Sequence, residues 1–546
     1  MRNLRVIVIS DASPRLLWRL AQRVQNEVPG ATVCGLVHAR GARPEGEEPL
    51  SERVRAGLVR VADVLLRCLH AGPKHPNSDA EFTDTTLGQS AQRVGWPVVT
   101  LADGSVDPAV DLLQQQQPDL CLALVSRSPT HAVLAIPRLG SIVVNRHGLA
   151  RRDFEAGGQT EIKLTISRVQ GTRELTCRRT LSVPIEPYDT VTSTALKSDL
   201  VGSDLLIQNA AETIREAGVA RDHLHDASLT LSYLDYYQQR KAAEKCSARP
   251  ALRSRPAWRL LLISLLLSPY LIMRNWYRRF GSRFPVVILV HHLISDNPHL
   301  LGMPTEVFFR QVEFLQKHYR IVSLSQAIEL LKSGVVRAPT VVLSFDDGYQ
   351  ENFLTLRSVI EATGIPVSLF VCTKVVEEQA EFSHDQARGQ HNFNALSWDQ
   401  VLYLSRNGVE IGSHTRSHFD CGSHDTETLR QELVGAKADL QHHLGERVRF
   451  FGFPYGKPEN ISDEAVRLTQ SNYEYSLSCF GGDNFPHGPV LQAHLFRKSH
   501  PADLWELELT LQGTLDLRQL IKRALGWGGQ AEEVARLRAT ALGGTA

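Results

Sequence analysis

Along the first 234 residues, short apolar runs of strand length alternate with stretches whose apolar positions recur every three or four residues. RVIVIS, ATVCGLVHA, PVVTLA, DLCLALVS and GSIVVN read as strands. Their alternation with helical segments predicts an α/β fold with a mainly parallel sheet and helices on its faces. The same alternation resumes after Phe284: PVVILVHH, a helix through FFRQVEFLQKH, a strand YRIVSL, a helix AIELLKS, then strands at PTVVLSFDDG, PVSLFVC, GVEIGSH and VRFFGFPYG. Repeated strand–helix units of this kind predict a barrel-like α/β domain with its site at the strand C-termini.

Between residues 235 and 284 the pattern breaks, and charged sequence gives way to WRLLLISLLLSPYLIMRNWYRR. The expected layout is therefore a domain over 1–234, a linker with an apolar helix over 235–284, a second domain over 285–510 and a tail over 511–546. The uninterrupted apolar run, Leu260 to Met273, falls short of the ~20 residues a spanning helix needs. Arg253, Arg255 and Arg259 precede it, Arg274, Arg278 and Arg279 follow it, and Trp258, Tyr270, Trp276 and Tyr277 lie near its ends. Such flanks suit a helix lying in a membrane interface, with peripheral contact through 258–279. An inter-domain helix packed on protein fits the same pattern.

A chain of 546 residues exceeds what one core supports, which agrees with two domains. With 60 Lys plus Arg against 59 Asp plus Glu, the net charge is +1, and the basic field that draws nucleic acid is absent. The 8 cysteines are scattered without a CxxC pair, as suits buried thiols in a reducing compartment. The N-terminal run RVIVIS is short and ends near Asp11, so it reads as a strand rather than a signal peptide, and a cytoplasmic location is expected.

Three strand ends carry the candidate chemistry. VVLSFDDGY places two carboxylates, Asp346 and Asp347, at the end of an apolar strand. Regular strand geometry would send them to opposite faces, but a turn at Gly348 lets both converge above the sheet. GVEIGSHTRSH ends in His414 and His418, whose spacing lets both reach one ion from a helical turn or a tight loop. Two histidines and one carboxylate form a three-ligand set that leaves positions open, as catalytic metal sites do. In FFGFPYG, Pro454 and Gly456 turn the chain so that the Tyr455 backbone N–H is a natural oxyanion donor.

These motifs, SFDDG, HTRSH and GFPYG in that order, resemble those of the polysaccharide deacetylases, also called NodB homology domains or family 4 carbohydrate esterases. VILVHHLIS, with His292, resembles the family's opening strand, and the likeness runs from about Pro285 to Pro501. It implies a distorted (β/α) barrel acting on an N-acylated amino sugar. By the same resemblance Asp346 is the general base, Asp347, His414 and His418 hold a divalent ion, commonly Zn2+, and Tyr455 N–H stabilises the oxyanion. The family often has an Arg two residues before the Pro; here that position is Gly452, with Arg497 as a candidate substitute. The general acid is expected at His500, with His494 as the other candidate.

IPRLGSIVVNRHGLARRDF resembles the catalytic loop of formyltransferases of the methionyl-tRNA and amino-sugar type, with Asn145 and His147 at the Asn-x-His pair. That resemblance implies a Rossmann-like domain and formyl-tetrahydrofolate as its cofactor. The family's Asp is missing from VQGTRE, Val169 to Glu174, where Glu174 is the nearest carboxylate, so a degenerate domain with little or no formyl transfer is expected. The leading reading is a metal-dependent hydrolase removing acetyl or formyl from an amino sugar of a glycan, or of a lipid- or nucleotide-linked sugar. The alternatives are a decayed carbohydrate-binding or scaffold protein and a non-haem iron oxygenase built on the same triad, a class that usually places its carboxylate two residues from the first His.

Overall fold

The structure, a computed structural model, describes residues 3–11, 13–39, 84–101, 106–126, 131–147, 161–169, 176–184, 191–217, 257–297, 299–480, 482–486, 494–499, 501 and 504–513. The chain divides into two compact units.

The first unit is a seven-stranded sheet: β1 (Leu4–Ser10), β2 (Ala31–Ala39), β3 (Val98–Leu101), β4 (Leu120–Val125), β5 (Ser141–His147), β6 (Glu161–Val169) and β7 (Thr176–Pro184), in the order β3-β2-β1-β4-β5-β6-β7. Helices α1 (Pro14–Glu27), α2 (Asp84–Val94), α3 (Asp107–Gln116) and α5 (Val191–Glu216) accompany it, with a single turn α4 (His131–Leu134). Strand residues alternate between two cores. Val6, Val8, Leu122 and Leu124 belong to one cluster, and Ile7, Ile9, Cys121 and Ala123 to the other. Burial on both faces explains why these strands read as continuous apolar runs. The sheet is parallel through β5, but β6 and β7 are antiparallel. The link from β6 to β7, residues 170–175, is too short for the crossover of a dozen or more residues that a parallel pair requires.

Among the described residues the second unit begins with helix α6 (Ala257–Phe280), which contains Pro269. Its strands are β8 (Val286–His291), β9 (Leu293–Ile294), β10 (Gly302–Met303), β11 (Arg320–Ile321), β12 (Thr340–Phe345), β13 (Val367–Val371), β14 (Glu410–Ser413), β15 (Phe450–Gly452), β16 (Tyr475–Ser478) and β17 (His494–Ser499). Seven of them close a parallel barrel in the order β12-β13-β14-β15-β16-β17-β8, sealed by pairing of β8 with β12. The short β9 and β10 pair with each other, and β11 hangs on β12 outside the ring. The strand expected over YRIVSL is cut to two residues because Ser323 caps the helix Leu324–Ser333 in a capping box with Gln326. With all ring strands parallel, their C-termini share one end of the barrel, and DDG, SH and GFPYG all emerge there.

Candidate functional site

Gly348, at φ 93°, turns the chain directly after β12, and Asp347 before it takes φ 71°. A Cβ on Gly348 would also stand 3.1 Å from Val371 Cγ1, so the position excludes larger residues twice over. The turn lets the two carboxylates separate in partner while staying adjacent in space. Asp346 is gripped by Arg497 of β17, with Nη1 donating to Oδ1 at 2.6 Å and Nη2 to Oδ2 at 2.8 Å. Asp347 instead faces two imidazoles: Oδ1 lies 3.4 Å from His414 Nε2 and 3.3 Å from His418 Nε2.

Those separations pass a simple test for a metal. Two ligand atoms about 2.0–2.1 Å from a tetrahedral zinc stand about 3.3–3.4 Å apart. Both oxygens of Asp347 are buried without a hydrogen-bond partner, a costly state for a carboxylate and an expected one for a ligand. His414 Nδ1 lies 2.7 Å from the Gly452 carbonyl; donating its proton there leaves the lone pair on Nε2, toward Asp347.

Backbone strain concentrates at this site. Asp347, Thr415, His418 and Tyr455 all have φ between 59° and 71°, a region non-glycine residues seldom occupy. His414 and His418 are joined by turns rather than by a helix, so a tight loop brings them together. The Tyr455 ring stands edge-on to His418, centroids 4.7 Å apart, and is 40% exposed. His292 is also near, and burial lowers its pKa despite Asp347 and Asp346.

Gly452 has a local reason. A Cβ there would meet Phe370 Cδ1 at 3.1 Å, His414 Nδ1 at 3.2 Å and Arg497 Nη2 at 3.3 Å. The space that a side chain on β15 would take is filled by the Arg497 guanidinium arriving from β17. Gly452→Ala is therefore expected to overpack the site and cost about 1–3 kcal/mol, read as a lowered urea midpoint. An unchanged midpoint would mean that the neighbours yield freely.

His494 is placed elsewhere. It begins β17, three residues before Arg497, and its two ring nitrogens contact Ser476 Oγ and Ser478 Oγ, each at 2.8 Å. Burial pushes its pKa down to about 4. With both ring nitrogens engaged by serines, His494 is less suited than a free imidazole to donate a proton. His500 lies outside the described residues. In the first unit Asn145 pairs with Val125 and Thr165, and His147 ends β5 opposite Lys163. Glu174 lies outside the described residues.

His384 and Tyr349 went unnoticed in the sequence. His384 is buried, its ring 4.3 Å from that of His418, and it groups with Asp347 and His418 so that one potential ligand atom of each lies within 4.8 Å of the others. Burial lowers its pKa to about 4. No strand-end motif flags His384: it sits on the short helix Ser383–Gln386, in a segment without apolar periodicity.

Residues 333–476 match the family model for polysaccharide deacetylase. Poly-beta-1,6-N-acetyl-D-glucosamine N-deacetylase of Escherichia coli K12 is 26% identical over 196 residues, which cover 34% of this chain and 28% of that protein. YxkH of Bacillus subtilis is 20% identical over 184 residues, 33% of this chain and 61% of the relative. The chain thus spans less than two thirds of either relative. Among solved structures, IcaB from Ammonifex degensii aligns at 18% identity with a TM-score of 0.36, over 42% of this chain and 97% of that one. A phosphoribosylglycinamide formyltransferase from Bacillus halodurans aligns at 15% identity and a TM-score of 0.24, over 39% and 96%.

Proposed function

We propose, from the polysaccharide deacetylase domain that residues 333–476 form, that this chain is a metal-dependent hydrolase removing an N-acyl group, acetyl or formyl, from an amino sugar. The substrate is a glycan, or a lipid- or nucleotide-linked sugar. The observation that carries the reading is the split of the paired carboxylates: Asp346 is braced by Arg497, while Asp347 is buried without donors beside two imidazoles. An oxygenase would use the same ligands, but nothing in its chemistry calls for a second carboxylate held beside them.

In this mechanism Asp347, His414 and His418 would hold the ion, a divalent metal such as zinc. When bound, the ion lowers the pKa of a water molecule toward ~7 and polarises the amide carbonyl. Asp346 accepts the proton of the attacking water. Arg497 fixes both its oxygens, so the carboxylate meets the water in one orientation, and lone pairs remain free to accept. The Tyr455 N–H donates to the oxyanion that develops on the carbonyl carbon's oxygen. His500 protonates the departing amine. The full chain, loaded with zinc and given an N-acetylglucosamine oligomer, should release acetate, and chelation should stop it. Zinc-loaded protein that releases neither acetate nor formate from N-acylated sugars would leave the decayed binding protein as the better reading.

The division into a formyltransferase-like unit over 1–234 and a deacetylase unit over 285–510 belongs to the same proposal. So does membrane contact through 258–279. No helix among the described residues is long and apolar enough to cross a bilayer. On α6, however, Leu266, Tyr270, Met273, Tyr277 and Phe280 are all exposed, at helical spacings of four, three, four and three residues, while Leu271 and Asn275 on the other side are buried. With Arg278 and Arg279 at its end, this stripe suits an anionic lipid surface. Vesicles containing phosphatidylserine should sediment the protein, less so as salt rises. If Met273→Glu with Tyr277→Glu binds such vesicles as the parent does, the stripe is not the contact.

A further inference from the structure

The loop between the two histidines, residues 415–417, is held by hydrogen bonds from both sides. On one side the helix Thr373–Glu378 presents its first turn: Thr373 N–H donates to the Thr415 carbonyl at 3.2 Å and Lys374 N–H to the Arg416 carbonyl at 2.8 Å. On the other side a single carboxylate takes what the loop donates. Glu432 Oε2 accepts from the Arg416 and Ser417 N–H groups, each at 2.9 Å, and Oε1 accepts from Ser417 Oγ at 2.8 Å. Such a grip is needed, because Thr415 and His418 sit at φ 64° and 60°, where a non-glycine residue is strained and persists only if its surroundings over-determine it.

Glu432 lies on the helix Thr426–Leu444, and the face it occupies continues through Gly435 and Asp439, three and seven positions on. A Cβ on Gly435 would stand 3.0 Å from Arg416 Cδ, so the glycine leaves room for the arginine stem to lie across the helix. Arg416 Nε then reaches Asp439 Oδ2 at 2.9 Å, and Thr373 Oγ1 donates to the same oxygen at 2.7 Å. One helix face thus ties the loop to the turn that clamps it. The two histidines depend on this unequally. His414 is fixed by the barrel, its N–H on the Val371 carbonyl and its Nδ1 on that of Gly452. His418 Nδ1 has no hydrogen-bond partner among the described residues, so the backbone path through residues 415–417 must aim its ring.

We infer that Glu432 is a positioning residue for the metal site: by fixing the backbone of Arg416 and Ser417 it sets where His418 stands relative to Asp347 and His414. The inference rests on the deacetylase reading for the existence of the ion. Glu432 touches neither ion nor substrate and acts through the loop alone.

The full chain, stripped by chelation and titrated with zinc against a chromophoric competitor, tests this. Glu432→Ala should weaken zinc binding by the ~10–100-fold typical of a lost outer support. Glu432→Gln keeps the reach, with one oxygen for the two N–H groups, and should bind zinc as the parent does. Glu432→Asp keeps the charge but withdraws the carboxylate by a methylene, and should bind as weakly as the alanine variant. Leu440→Val, which trims the buried side of the same helix, should lower the urea midpoint and leave zinc affinity unchanged. If Glu432→Ala binds as the parent does, or Leu440→Val weakens binding equally, the positioning role falls while the deacetylase reading stands. A weak Gln variant beside a parent-like Asp variant would make charge the cause and overturn the inference as well. If the parent itself takes up no zinc, the deacetylase reading falls and this inference with it. Should Glu432→Ala fail to fold, Glu432→Asp decides in its place, and parent-like affinity there overturns the inference.

Discussion

Asp346→Asn is expected to keep its metal and lose turnover by roughly 10²–10⁴-fold, the loss typical of a missing general base. The amide preserves the shape of the carboxylate and still accepts from Arg497 through one oxygen, so the pocket closes in the same way. What it cannot do is take a proton from water. Its neighbour behaves oppositely. Asp347 has no donor on either oxygen and stands 3.3–3.4 Å from two imidazole nitrogens, so Asp347→Ala removes a ligand and should lose ion and activity together. Metal content of the two purified variants separates the roles. A metal-free Asn variant, or a metallated one that deacylates at the parent rate, would mean that Asp346 is not the base.

The sequence announced the site where chemistry is written into strand ends. DDG, HTRSH and FPYG each follow an apolar run, and a parallel barrel necessarily delivers its strand C-termini to one place, so Asp346, Asp347, His414, His418 and Tyr455 could be grouped before any coordinates. Arg497 was nameable only because a residue was missing at Gly452. The reason for the exchange, a guanidinium in the space a β15 side chain would fill, needed the packing of β15 against β17. His384 was invisible because its nearness to His418 comes from the short helix Ser383–Gln386, in a segment that leaves no periodic trace. His494 was offered only as a late histidine, and the packing that commits both of its ring nitrogens to Ser476 and Ser478 leaves no mark in the sequence. In the first unit β6 and β7 escaped as strands, because β6 alternates buried and less buried positions and carries no continuous apolar run.

Arg497→Met is expected to destabilise the second unit by about 3–5 kcal/mol, the cost of leaving one member of a buried ion pair uncompensated. Both side chains are within 2% of full burial, and the two terminal guanidinium nitrogens are committed to the two carboxylate oxygens. Asp346 holds the Arg497 guanidinium firmly protonated, against the opposite pull of burial. Methionine matches the volume, so the loss reports charge rather than a cavity. The diagnostic is the double variant: with Asp346→Asn in the same chain no charge is left unpaired, and much of the lost stability should return. Arg497→Lys should fall between, since a point charge cannot span both oxygens as a planar fork does. Turnover should track orientation instead of stability, staying low in the double variant even as the urea midpoint recovers. Were Arg497→Met to unfold at the parent midpoint, or the double variant to be as unstable as the single, the pair would not be the brace that holds the base in place.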